Sequence, residues 1–109
     1  MTQYNALLIP SNHDFANKLK ADVKVEGINV LTAVTLAEVE SVFAAESVDI
    51  VFMGTERENL ASRLQIIEYI KTWSYDAGKG PSIHIQGTDI GITSAAWVTQ
   101  ILETFVANA

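Results

Sequence analysis

Four short runs of apolar residues are spaced along the chain, at residues 4–10, 29–33, 48–53 and 82–86. In the runs at residues 4–10 and 48–53 the apolar residues are nearly continuous rather than alternating with polar ones, whereas the runs at residues 29–33 and 82–86 are short and contain β-branched residues. Continuous apolarity is typical of strands that are covered on both faces, as in a parallel sheet. The breaker sequence GKGP, residues 78–81, precedes the last run. The pattern therefore predicts four buried strands.

An amphipathic helical pattern follows each run, with apolar residues three or four positions apart. The second pattern begins at TLAE, residues 35–38, a capping box in which the Thr hydroxyl and the Glu carboxylate bond the first backbone amides. The first pattern covers residues 13–26 and is stopped by Gly27, the third covers residues 58–73, and the last runs from Thr93 or Ser94 to Val106.

Each helical pattern has a predicted inward stripe. These stripes are Phe15, Leu19 and Val23 in the first helix, Leu36, Val39, Val42 and Phe43 in the second, Leu60, Leu64, Ile67 and Trp73 in the third, and Trp97, Ile101 and Phe105 in the last.

The alternation of strands and helices predicts one α/β domain that spans residues 1–109. Because crossovers between parallel strands are right-handed, the helices should cover both faces of the sheet. We therefore expect a doubly wound three-layer sandwich around a mostly parallel sheet of four or five strands, with the order 2-1-3-4. A chain of 109 residues is long enough to bury one hydrophobic core.

Composition excludes several classes of protein. The chain contains no cysteine, which excludes a disulfide framework and a thiolate site and suits the cytoplasm. Its formal net charge is −6 and its 7 basic residues are scattered singly, so we expect no nucleic-acid partner for this domain alone. No segment has the pattern of a signal peptide or of a membrane-spanning helix, so we expect no membrane contact.

The stretch LLIPSNHDFANKLKADVKVEGINVLTAVTLAEVESVFAAESVDIVFMG, residues 7–54, resembles the first half of a response-regulator receiver domain. The resemblance extends over roughly residues 6–87 and implies a flavodoxin-like sheet. In receivers a fourth helix and a fifth strand follow the fourth strand, but too few residues separate Gln86 from the last helix here. We expect the fourth helix to be shortened or missing, with residues 89–92 forming either a short fifth strand or no strand.

The resemblance places the phosphoryl-transfer positions of receivers on residues that cannot perform this chemistry. The acidic pair that binds Mg²⁺ corresponds to Pro10 and Ser11, and the aspartate that accepts phosphate corresponds to Gly54. The Ser or Thr that ends the fourth strand in receivers is Gln86 here. Phosphoryl acceptance needs a carboxylate, and Mg²⁺ needs hard oxygen ligands. We therefore expect a pseudo-receiver that acts without phosphorylation, with no metal, no cofactor and no enzymatic activity.

An alternative interpretation is a sensor of a small polar ligand or anion, bound at the carboxyl edge of the sheet. Helix amino termini at that edge supply amides and positive dipole ends. These polar residues also have a simpler explanation, since Ser11 or Asn12, and Thr55, can be helix caps or turn residues without any ligand. His84, in the middle of a strand, is expected to be structural. The candidate ligand residues are Ser11, Asn12, His13, Thr55, Thr88 and Asp89.

The last helix is apolar around much of its circumference, more than one buried stripe requires. Its candidate partner surface is Trp97, Val98, Leu102 and Phe105. With Ile101 on the inward stripe, Val98 and Leu102 are expected on the outer flank. Such a flank suits a protein partner or a homodimer, although ordinary coverage of the sheet is the alternative. The leading hypothesis is a receiver-like signalling module that acts through protein contacts, as a dimer or as the regulator of an output domain.

Overall fold

The computed structural model describes residues 3–10, 12–54, 60–77, 82–86 and 95–108. Each strand in these residues overlaps its predicted apolar run, and each helix overlaps its predicted helical pattern. In chain order the elements are β1 (Tyr4–Ile9), α1 (His13–Asp22), β2 (Ile28–Thr32), α2 (Leu36–Ala45), β3 (Ile50–Gly54), α3 (Leu60–Ala77), β4 (Ser82–Gln86) and α4 (Ala95–Ala107).

The described strands are parallel and pair in the order β2-β1-β3-β4. In the middle of the sheet, Leu7 of β1 pairs with Leu31 of β2 on one side and with Val51 of β3 on the other. This open parallel sheet is compatible with a flavodoxin-like fold. The predictions of a short fifth strand and of a lost fourth helix concern residues 87–94, which lie outside the described residues.

Alternate side chains of β1 enter two separate cores, one on each face of the sheet. Leu7 and Ile9 belong to the core shared with α2 and α3, whereas Ala6 and Leu8 belong to the core shared with α1 and α4. All four side chains are fully buried. Each buried Leu or Ile contributes roughly 1.5–3 kcal/mol of hydrophobic stabilisation. Helices on both faces therefore explain why the apolar run is continuous.

Aromatic contacts join α2 to α3 above the first of these cores. The ring of Phe43 in α2 lies 5.9 Å from the ring of Tyr69 and 5.0 Å from that of Trp73, both in α3. The Phe43–Tyr69 pair meets edge to face, an arrangement that aromatic rings favour. Phe43 thus fixes the spacing of the two helices, as expected for a residue of the predicted inward stripe.

Helix α1 ends earlier than its pattern predicts. Its last hydrogen bond runs from the Val23 N–H to the Leu19 carbonyl, at 2.8 Å, and Val23 itself is extended with φ −88° and ψ 108°. Gly27 then adopts a φ of 86°, a left-handed conformation that costs glycine little. The turn at Gly27 leads directly into β2, and the Gly27 carbonyl accepts the Tyr4 N–H of β1 at 2.9 Å. Gly27 is therefore the turn before the strand rather than the end of the helix.

The inward face of α3 differs from the predicted one. Leu64, predicted to face inward, is 51% exposed, so that prediction is wrong. The buried stripe instead contains Ile66 and Ile70, with Ile67 and Trp73 at its margin. The helix carries two overlapping apolar stripes. The stripe that contains Ile66 and Ile70, which lie one helical turn apart, packs against the sheet.

The inward face of α4 also differs from the predicted one. Val98 and Leu102 are fully buried, so their assignment to an outer partner surface is wrong. Trp97 and Phe105 are half-buried on the flank of the helix, where their rings meet Phe52 and Tyr4 edge to face at 5.5 Å and 5.2 Å. The smaller Val and Leu side chains fit directly between the helix and the sheet, whereas the large rings pack from the side.

Candidate functional site

The carboxyl ends of the two central strands meet where the resemblance places a phosphorylation site. Gly54 ends β3, is buried, and pairs with Gln86 at the end of β4. Pro10, directly after β1, is also buried. A glycine has no side chain and a proline has no oxygen on its side chain. Neither residue can therefore accept a phosphoryl group or bind Mg²⁺ through its side chain.

Asn12 acts as the cap of α1. Its backbone is extended, with φ −156° and ψ 169°, and its Oδ1 accepts the Phe15 N–H at 2.8 Å. The Asn12 carbonyl accepts the Ala16 N–H at 3.0 Å, the first hydrogen bond of the helix. This is the geometry of an Asn at the helix N-cap. The capping interpretation of Asn12 is therefore confirmed.

His13, the first residue of α1, pairs with Glu38 in the first turn of α2. Its Nε2 lies 2.9 Å from Glu38 Oε2. An ionised carboxylate only accepts hydrogen bonds, so Nε2 is the donor. The side chains are 68% and 41% exposed, respectively. The pair bridges the two helices that follow the adjacent strands β1 and β2.

Glu38 is also the acidic member of the capping box that the sequence predicts. Its Oε1 accepts the Val34 N–H at 2.8 Å and the Thr35 N–H at 3.1 Å, and its own N–H donates to Thr35 Oγ1 at 3.2 Å. The hydrogen bond from His13, followed by the one from the Val34 amide, holds the pKa of Glu38 below its ordinary value. One carboxylate thus caps α2 and anchors α1 at the carboxyl edge of the sheet.

A cavity of about 280 Å³ opens beside this capping box. Arg63, in the first turn of α3, lines the cavity and is 5% exposed. Sequence reasoning counted Arg63 only among the scattered basic residues. Arg63 lies three residues before Ile66 and seven before Ile70, so it is on the same face of the helix as these isoleucines. This spacing is the sequence signal from which its burial could have been predicted. The lining residues are Val34, Thr35, Leu36, Ser62, Arg63, Gln65 and Ile66.

Several residues that the sequence analysis singles out are not part of the His13–Glu38 pair, the capping box or the cavity. Ser11, Thr55, Thr88 and Asp89 lie outside the described residues. The backbone of His84, in β4, pairs with that of Phe52, in β3. Across the described ranges, no group of three or more His, Cys, Asp or Glu residues is placed to hold a metal ion. The same ranges contain no helix with the length and apolarity needed to cross a bilayer.

Comparisons of the chain with protein-family models, with curated proteins and with solved structures find no match. The features that bear on function are therefore the carboxyl edge of the sheet, the flank of α4 and the cavity beside Thr35.

Proposed function

We propose that this chain is an atypical receiver-like signalling module, doubly wound and flavodoxin-like, that acts through protein contacts without phosphorylation. The observation that carries the proposal is Gly54. It lies at the buried end of β3, a strand paired on both sides, where the resemblance requires the phosphate-accepting aspartate. Every residue of β3 is buried, so the loss of the acceptor is not accompanied by loss of this central strand.

The neighbouring positions support the same proposal. Pro10 occupies one of the two positions that correspond to the acidic pair of receivers. The next polar side chain that the structure describes, Asn12, caps α1. Glu38, whose carboxylate contacts the first residue of α1, is held by His13 and by two backbone amides. These groups stabilise local structure, and a module built this way transmits signals by changing or making contacts.

The contact surface that we propose is the flank of α4 formed by Trp97, Ile101 and Phe105. These residues are spaced by four, so they form one line along the helix. Each is half-buried against the core, and the exposed part of each side chain remains apolar surface. A second copy of the chain, or an output domain, would gain free energy by covering this line.

Mass spectrometry and light scattering test the two parts of the proposal separately. Incubation with acetyl phosphate and Mg²⁺ should leave the intact mass unchanged, because the chain has no acceptor at position 54. A stoichiometric gain of one phosphoryl group that is stable in acid and labile in base would contradict phosphorylation-independence. A conventional receiver domain treated in parallel shows that the phosphodonor is active.

The contact surface is tested by size-exclusion chromatography with light scattering over a range of concentrations. Ile101→Lys should weaken self-association, because its charge disfavours an apolar interface, while its long stem can keep the ammonium in water and preserve the fold. Gln100→Lys adds the same charge at the neighbouring exposed position and should leave association unchanged. A wild-type chain that stays monomeric at every concentration contradicts the dimer and leaves an output domain as the proposed partner.

A further inference from the structure

We propose that the outer edge of β2 is a self-association surface, at which a second copy of the chain adds its own β2 as an antiparallel strand centred on Val30. This edge belongs to a different element from the flank of α4. The inference therefore goes beyond the proposed contact function and does not rest on it.

The backbone of β2 has one side that faces away from the sheet. Among the described residues β2 pairs with β1 only, and backbone groups along a strand point alternately to its two sides. The Gly27 carbonyl accepts the Tyr4 N–H of β1 at 2.9 Å, and the Ala33 N–H donates to a carbonyl of β1 at 3.1 Å. Odd-numbered residues of this stretch therefore face β1. The residues whose backbone groups point outward are Ile28, Val30 and Thr32.

These outward groups are complementary to a second copy of themselves. Within the part of the chain that the structure describes, the N–H groups of Val30 and Thr32 have no acceptor. The Ile28 N–H already donates to the Val25 carbonyl at 3.1 Å. In an antiparallel pair centred on Val30, the Val30 N–H of each copy meets the Val30 carbonyl of the other, and the Thr32 N–H meets the Ile28 carbonyl. This register satisfies both outward donors, and the donor that it does not need is the one already bonded.

The side chains of β2 permit the same pairing. The strand reads INVLT and has neither a charged residue nor a proline, which are two of the devices that keep sheet edges from pairing. In the register centred on Val30, that residue faces its own copy and Ile28 faces Thr32. Both pairs join β-branched side chains, which stabilise neighbouring strands. Asn29 faces Leu31, so no like charges lie opposite each other.

A groove of about 450 Å³ lies beside this edge, between β2 and the end of α1. Its apolar lining residues are Val23, Val25, Ile28 and Val30. Side chains that face each other across paired strands lie on the same face of the sheet. Val30 and Thr32 of the second copy would therefore lie on the face that carries the groove and cover its apolar lining.

Charges near the two ends of β2 favour an antiparallel pair over a parallel one. Lys20 and Lys24 line the groove at the amino end of the strand and are exposed, and with Glu26 beside them this end keeps a net positive charge. Glu38 follows the carboxyl end, and its side chain is 41% exposed. An antiparallel pair brings the basic end of each copy towards Glu38 of the other. A parallel pair would bring lysines towards lysines.

Hydrogen exchange of single backbone amides, measured by NMR on the whole chain at low and high concentration, tests the proposal. Exchange at Val30 and Thr32 should slow about tenfold when about nine-tenths of the chains are paired, because it then occurs only from the unpaired fraction. Leu31, whose N–H faces β1 in either state, should slow less. A chain that stays monomeric at every concentration overturns the proposal, as does association without slower exchange at Val30 and Thr32.

The Ile101→Lys variant separates this edge from the flank of α4. The substitution blocks the flank and leaves β2 unchanged, so the variant should still associate and still show slow exchange at Val30 and Thr32. Loss of both association and protection in this variant overturns the β2 interface and supports the α4 contact. Retention of both supports the β2 interface whether or not the α4 contact exists.

Thr32→Pro tests the outward donor directly. Proline is tolerated in an edge strand where its missing N–H would face outward. The dimer Kd, measured by light scattering, should rise about tenfold or more, because each dimer loses a symmetric pair of hydrogen bonds. Thr32→Val keeps the N–H and a β-branched side chain, so it should not raise the Kd. A folded Thr32→Pro variant that pairs as tightly as wild type overturns the proposal.

Asn29→Lys keeps the question decidable if Thr32→Pro does not fold. Asn29 is the exposed position of β2, and a lysine there places a charge at the edge in each copy. The dimer Kd should rise. Asn108→Lys makes the same change at an exposed position after α4 and should leave the Kd unchanged. Equal effects of the two lysine variants overturn the proposal.

Discussion

Nε2 of His13 donates a hydrogen bond to Oε2 of Glu38 across 2.9 Å, although the two residues are 25 positions apart in the chain. The contact joins the first residue of α1 to the capping box of α2. Because β1 and β2 are adjacent parallel strands, the helices that follow them begin at the same edge of the sheet. A measured coupling between His13 and Glu38 would therefore show that the βα turns after β1 and β2 lie side by side.

A double-mutant cycle with His13→Ala and Glu38→Gln should give a coupling free energy of less than about 1 kcal/mol, measured by urea unfolding. The value is small because both side chains are substantially exposed, 68% and 41%. A parallel cycle with Glu40→Gln, exposed on the same helix, should show no coupling to His13. Coupling to Glu40 as large as that to Glu38 would show that the interaction is only long-range electrostatics.

The stability of the chain should depend on pH through Glu38. The hydrogen bonds from His13 and from the Val34 amide lower the pKa of Glu38 from its ordinary value of 4.5. As the pH falls, the unfolded chain therefore takes up this proton before the folded chain does. The contribution of Glu38 is fully present above the ordinary pKa and is lost as the pH falls through the lowered one. Acid should therefore weaken the fold in part by protonating Glu38.

Glu38→Gln isolates this charge, because Gln can still accept the capping hydrogen bonds. We expect the variant to lower the free energy of unfolding near neutral pH and to differ less from wild type in acid. Urea unfolding across the acidic range measures both. A difference that is constant with pH would show that the effect comes from packing rather than from ionisation.

Thr35→Ala should destabilise the chain by about 1 kcal/mol, because it removes the acceptor of the Glu38 N–H at the start of α2. For a domain of this size the melting temperature should fall by roughly 4 °C. Ser41→Ala is the matched control, since Ser41 is exposed in the same helix and its hydroxyl only donates back to the Ala37 carbonyl. An equal fall for both variants would contradict the capping role of Thr35.

Local signals in the sequence predicted the parts of the fold that depend on neighbouring residues. The continuous apolar runs located β1 and β3, because burial on both faces leaves no polar alternation. The spacing of Thr35 and Glu38 located the start of α2, because a capping box closes within one helical turn. Asn12 could be proposed as a cap for the same reason.

Features that depend on distant residues were not predicted. His13 has no carboxylate at a suitable spacing within its own helix, and its partner comes from the next βα turn. The buried faces of α3 and α4 each had two candidate stripes, and the choice depended on how Ile66 and Leu102 fit the sheet. Arg63 seemed one basic residue among several, because only the rotation of α3 places it against a cavity.

The rotation of α4 gives the sharpest test of the packing. Leu102 is fully buried against the sheet, whereas Ile101 is half-buried and Leu64, on α3, is 51% exposed. Leu102→Ala should therefore cost about 3 kcal/mol, since it removes buried methyl groups and leaves a cavity in the core. Leu64→Ala should change the free energy of unfolding by less than about 0.5 kcal/mol, as expected at an exposed position.

Ile101→Ala decides between the two orientations of α4. If Ile101 lay on the inner stripe and Leu102 on the flank, Ile101→Ala would be the more damaging change. In the structure Leu102 is enclosed by the core and Ile101 lies at its margin, so Leu102→Ala should be the more destabilising change. Urea unfolding of the monomer at low concentration measures both variants without a contribution from self-association. Greater destabilisation by Ile101→Ala than by Leu102→Ala would require α4 to be rotated, and the contact flank of Trp97, Ile101 and Phe105 would then be lost to the core.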